Sequence, residues 1–102
     1  DGTDSYIKNN GGDVIIQNTA NDKDIVLKSD NGSGGTAAYL TLDGSAGLTT
    51  VHTPMQLVEA TEPDNPPAGH AVIWLHEGGT IYAKITVEES TSLVVIAQPE
   101  GG

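Results

Sequence analysis

Apolar residues in this chain fall in short clusters separated by turn-forming residues. Residues 14–17 (VIIQ) lie between "NNGGD" and "NTANDKD", and residues 25–28 (IVLK) lie between that second turn and "SDNGSGG". Residues 38–42 (AYLTL) precede "DGSAG", residues 48–51 (LTTV) follow it, and residues 6–8 (YIK) form a weaker earlier member. Runs of this length, rich in β-branched residues and bounded by Gly, Asn and Asp, predict strands. Helix is excluded, because no segment sustains a 3.6-residue period and helix-breaking residues recur too often. The runs also echo one another: "GGDVIIQN" and "DKDIVLKS" share the order acid, three apolar, polar, small polar. A strand and turn repeated at this short spacing suits β-rungs or a meander. A period of two puts Val14 and Ile16, Ile25 and Leu27, and Ala38, Leu40 and Leu42 on one face. Ile15, Val26, Tyr39 and Thr41 lie on the other face beside Gln17 and Lys28, so both faces are partly apolar and call for neighbours on both sides.

The pattern changes at "ATEPDNPPAGH", residues 60–70, where three prolines exclude a strand or helix interior and predict a linker or an extended crossing segment. Beyond it lie the densest apolar runs, residues 71–76, 81–87 and 92–97, joined by "EGGT" and "EEST". Short connections of this kind predict consecutive antiparallel hairpins. The organisation read from the sequence is a repetitive β-rung segment over 1–58, a Pro/Gly-rich linker over 59–70 and a three-stranded meander over 71–102. In the meander, Ile81, Ile85, Val87, Leu93 and Val95 are expected to be buried, with Lys84, Glu88 and Glu89 facing water.

Composition sharpens this picture. Of 102 residues, 36% are hydrophobic, there is no Phe, and the aromatics are Tyr6, Tyr39, Tyr82 and Trp74. Bulky side chains are scarce, which makes association with identical copies the natural way to complete a core. Fourteen carboxylates against four lysines give a net charge of −10. Such a surface repels phosphate backbones and anionic headgroups, so neither nucleic acid nor a membrane surface is an expected partner. With no cysteine there is no disulfide or thiolate metal site. No apolar stretch is long enough to span a membrane, the N-terminus lacks a secretory pattern, and a chain starting at Asp1 reads as a piece of something longer.

Catalytic patterns are absent. No serine sits in a G-x-S-x-G elbow, and His52, His70 and His76 lack metal-ligand spacing. Asp22, Asp24 and Asn21, like Asp30 and Asn31, have the oxygen content of a calcium loop but not its order, and they read as turn caps. No acid pair stands out for glycoside hydrolysis. Trp74, His76 and Tyr82 are the candidate receptor-contact residues, since flat aromatic faces beside a hairpin turn suit sugar rings. The competing reading of Trp74 is a core residue of the meander. No catalytic residue, metal or cofactor is expected.

The phrases "NTANDKDI", "KSDNGSGG" and "YLTLDGS", with "GTDSYIKNN" ahead of them, resemble segments of tail-fibre proteins of tailed bacteriophages, notably those of marine hosts. The likeness spans residues 2–51, and "EPDNPPAGHAVIWLHEGGTIYAKI" is similar to short C-terminal modules of such fibres. The resemblance implies an all-β, short-stranded homotrimeric fibre, either a β-prism or triple β-helix-like rungs, ending in a small antiparallel meander cap. The trimer core would be Val14, Ile16, Ile25, Leu27, Leu40 and Leu42. It further implies a structural role in an extracellular virion fibre that contributes to attachment to a host surface glycan or protein. The alternative is a small monomeric carbohydrate-binding or adhesion module of bacterial origin.

Overall fold

The computed structural model describes residues 2–100. It is all-β, with two three-stranded antiparallel sheets and no helix. The chain divides into two compact units, Asp1–Pro54 and Met55–Gly102.

The first unit holds β1 (Ile25–Asp30), β2 (Thr36–Asp43) and β3 (Leu48–Val51) in the order β1-β2-β3. The runs at 25–28, 38–42 and 48–51 thus form strands, and they form a meander. Register pairs Ile25 with Leu42 and Leu27 with Leu40, then Leu40 with Val51, so Ile25, Leu27, Leu40 and Leu42 share one face as their alternation predicted. Val26 and Thr41 pair on the opposite face. A register shift between Leu27 and Lys28 brings Lys28 opposite Ala38. Residues 14–17, expected as a rung, are not in a strand: Val14, Ile15 and Ile16 are exposed, as are Tyr6 and Ile7. The reason is physical. A strand exists only where its backbone joins a ladder, and this segment joins none within the chain.

The loops are built from side chains bonding their own backbone. Asn9 Oδ1 accepts from Gly11 N–H at 2.9 Å, Asn18 Oδ1 from Ala20 N–H at 3.0 Å and Asn31 Oδ1 from Ser33 N–H at 2.7 Å. At the β2–β3 turn, Asp43 Oδ1 accepts from Ser45 and Ala46 N–H and from Ser45 Oγ–H. These bonds, led by the one from Ala46, hold the Asp43 carboxyl below its ordinary range. Asp24 Oδ1 accepts from Gly44 N–H at 2.9 Å, tying the loop before β1 to this turn. Of the residues with calcium-loop composition, Asp30 and Asn31 cap the β1–β2 turn and Asp24 holds Gly44, whereas Asn21 Nδ2–H bonds the side chain of Asp22 at 3.4 Å. Among residues 2–54 none is buried.

The second unit holds β4 (Ala71–Leu75), β5 (Ile81–Val87) and β6 (Ser90–Ala97) in the order β4-β5-β6, the meander its spacing predicted. Val72, Trp74, Tyr82, Lys84, Thr86, Leu93 and Val95 lie on one face by cross-strand pairing, and Ile73, Leu75, Ile81, Ala83, Ile85, Val87 and Val94 on the other. The expected burial is inverted in part. Lys84, expected in water, is buried, while Ile85, Val87, Leu93 and Val95 are exposed. The proline-rich segment crosses the Lys84 face as a strap, which buries Lys84 and leaves Ile85 and Val87 on the open, uncharged face, while Leu93 and Val95 lie on the Lys84 face on β6 and are exposed. The strap meets the end of β4 where Ala60 N–H bonds Leu75 O at 2.8 Å, and it rejoins β5 where Gly69 N–H bonds Thr86 O at 2.9 Å.

Gly44 is the tightest backbone approach in the first unit, since a Cβ there would stand 2.1 Å from Lys23 O. Gly44→Ala is expected to push the loop off the β2–β3 turn and cost about 1–3 kcal/mol in urea denaturation, whereas Gly34→Ser, with open space around it, loses less and only through its left-handed backbone.

Candidate functional site

The three candidate contact residues converge. Trp74 and Tyr82 are cross-strand partners on β4 and β5, with ring centroids 5.4 Å apart, and His76 meets both at 5.9 and 5.6 Å edge-on. Trp74 Nε1–H donates to His76 Nδ1 at 3.0 Å. An indole N–H only donates, so His76 Nδ1 is the acceptor in this arrangement. The bond satisfies the only polar atom of the indole, which is what allows Trp74 to be 7% exposed.

Lys84 completes the cluster. Its Nζ lies 6.0 Å from the Trp74 ring centre, donates to Pro63 O at 2.7 Å and pairs with Glu62 Oε2 at 2.6 Å. An ammonium withdrawn from water needs such partners, and both come from the strap. The lysine bond holds the Glu62 carboxyl below its ordinary value of 4.5. On the same face Thr86 Oγ1 and Thr91 Oγ1 share a hydrogen bond at 2.7 Å.

The burial of Trp74 and its bond to His76 favour the core reading. The indole is packed against His76, Tyr82 and Lys84, and at 7% exposure it offers no open face for stacking. Tyr82 and His76 are half-buried, beside the exposed Glu77 and Gly78 of the β4–β5 turn. The accessible part of this hairpin is the edge of Tyr82 and His76 with Glu77. The Lys84–Glu62 pair went unforeseen, because alternation assigns Lys84 only to the face opposite Ile85; the prolines three, six and seven residues after Ala60 were the available sign of a docked, rigid cover.

A second concavity, an open cleft of about 300 Å3 in the first unit, has an apolar floor of Ile25, Leu42 and Leu48 and a polar rim of Asn18, Lys23 and Asp43. Four of the expected trimer-core residues, Ile25, Leu27, Leu40 and Leu42, form one surface here, while Val14 and Ile16 stand apart on the unpaired segment. His52 Nε2 is 2.8 Å from Thr41 Oγ1 on the opposite face. Among the described residues, no group of three or more His, Cys, Asp or Glu side chains is placed to hold a metal ion, and no helix is long and apolar enough to cross a membrane.

Comparison with known protein families, curated proteins and solved structures finds no match. The chemistry of the site therefore rests on its own geometry.

His76→Ala is expected to strand the Trp74 N–H and cost about 1–3 kcal/mol, read from urea denaturation followed by the emission of the single Trp. The Glu62 carboxyl titrates lower in the folded than in the unfolded chain. Its pair with Lys84 therefore stabilises the fold fully above the unfolded value of 4.5, and that contribution is lost as pH falls through the lower folded value. The difference in melting temperature between the native chain and Glu62→Gln should be constant above about pH 6 and shrink towards zero in acid.

Proposed function

We propose that this chain is a structural segment of a homotrimeric bacteriophage fibre, carried on the outside of the virion and contributing to attachment to a host-surface glycan or protein. The observation that carries this reading is the lack of a core in the first unit. A three-stranded sheet with no buried residue among residues 2–54, and with Leu27, Leu42, Val51 and Val26 exposed on its two faces, lacks the cover that a sheet needs in water. Identical copies supply that cover at no further cost in sequence. The open face of the second sheet adds to the case: Ile73, Ile85, Val87 and Val94 are exposed on it, and it bears no charge in a chain of net charge −10.

The likeness of residues 2–51 to phage-fibre phrasing supports the virion context, and the absence of catalytic or metal constellations in the sequence fits a non-catalytic role. The monomeric sugar-binding alternative draws less support, since Trp74 is committed to His76 and Tyr82. Host contact then belongs to the β4–β5 hairpin.

Mass in solution tests the reading: the expected species is three times 10.5 kDa, and a monomer sinks it. Leu27→Asp and Leu40→Asp extend the test. In an isolated chain a charge at Leu27, 51% exposed, changes stability by no more than about 0.5 kcal/mol. In the trimer either charge meets its symmetry mates in an apolar layer and costs on the order of several kcal/mol, so the assembly is expected to dissociate in analytical ultracentrifugation.

A further inference from the structure

The segment at residues 13–17 and the edge strand β1 carry complementary halves of one pairing. The segment is extended, with Val14, Ile15 and Ile16 exposed at 54, 77 and 66%. Its C-terminal end is tied to the start of β1, where Asn18 Nδ2–H donates to Asp24 O at 2.9 Å, and before it Asn9 Nδ2–H closes a local turn on Asp13 O at 3.0 Å. Among the described residues, the backbone of 14–17 has no partner within the chain. β1 is an edge strand, so one side of its backbone is also unpaired.

Charge and pattern select the register. Placed antiparallel, Val14 faces Leu27, Ile15 faces Val26 and Ile16 faces Ile25, while Asp13 meets Lys28. The parallel alternative sets Asp13 against Asp24, two like charges in opposition. The antiparallel register also extends an existing surface. Val14 joins the row Leu27, Leu40, Val51, and Ile16 joins the row Ile25, Leu42, Thr49. The chain's own segment is kept off this edge by the connecting loop, which Asn18 closes on Asp24 and which Asp24 in turn fastens to Gly44.

We propose that residues 13–17 of one copy add as an antiparallel strand to the free edge of β1 in a second copy of this chain, with Asp13 opposite Lys28 and Ile15 opposite Val26. This rests on the self-assembling fibre reading and names the contact that joins the copies. Repeated head to tail and closed into a ring, the contact leaves no β1 edge open.

The absence of native cysteine makes the test clean. Full-length chain carrying Ile15→Cys and Val26→Cys together is oxidised, then run on a denaturing gel without reductant. The expected product is a covalent ladder ending at three chains, with each single-cysteine variant giving none. A native chain that is trimeric, combined with a double variant that keeps its thiols free or closes a disulfide within one chain, overturns the pairing and leaves the fibre reading standing. A native chain that is monomeric by native mass spectrometry overturns both. Should the cysteine variant not assemble, charge exchange decides: Asp13→Lys and Lys28→Asp are each expected to lower the melting temperature of the trimer, and the double exchange to restore at least half of the loss. Losses that simply add overturn the proposal.

Discussion

A three-stranded sheet has two faces, and a chain this short in bulky side chains covers at most one of them. Everything else in the structure follows from how each unit meets that constraint. The second unit meets it by folding its own proline-rich segment across one face. The first unit has no such strap, and the sheet β1-β2-β3 carries apolar side chains into solvent on both sides.

The strap works because its anchor is electrostatic and its stiffness is covalent. A hydrophobic cover of residues 57–67 has little to offer, since its apolar content is Leu57, Val58, Ala60 and prolines. Instead Lys84 is drawn into the sheet face, where Glu62 and the Pro63 carbonyl replace its water. Pro63, Pro66 and Pro67 limit the conformations the strap gives up on docking. The buried ammonium in turn lies near the indole ring of Trp74, and the indole binds His76, so the ion pair and the aromatic cluster adjoin on one sheet face. Leu93 and Val95 stay exposed on this same face because the strap reaches β4 and β5 but not β6.

Local pattern made the strands legible where a partner strand lies next in sequence. The alternation of 81–87, the turns "EGGT" and "EEST", and the spacing of 25–51 all specify hairpins, because hairpin pairing is decided by neighbours a few residues apart. Residues 14–17 have the same local credentials as 25–28 and yet form no strand, which shows that pattern reports readiness to pair and topology reports whether a partner is present. Lys84 was misplaced for the converse reason. Alternation told which residues share its face but not which face the strap would choose, and Ile85 lies one step away on the face that remained open. The convergence of Trp74, His76 and Tyr82 could be read from strand register, whereas the role of His76 as acceptor for the indole depends on a geometry that spacing alone does not fix.

The charge of the chain gives this division a further sense. A net charge of −10 opposes the approach of copies everywhere except where charge is missing or compensated. Two places meet that condition: the uncharged face of Ile73, Ile85, Val87 and Val94, and the β1 edge, where Lys28 stands ready for an acid. The acidic loops are capped by Asn and Asp side chains such as Asn9, Asn31 and Asp43, which accept from neighbouring backbone N–H groups. In the assembly proposed above, repulsion would act as a filter on geometry, favouring arrangements of copies that bring the apolar rows together. A chain with more lysine spread over its loops would be easier to associate and harder to align.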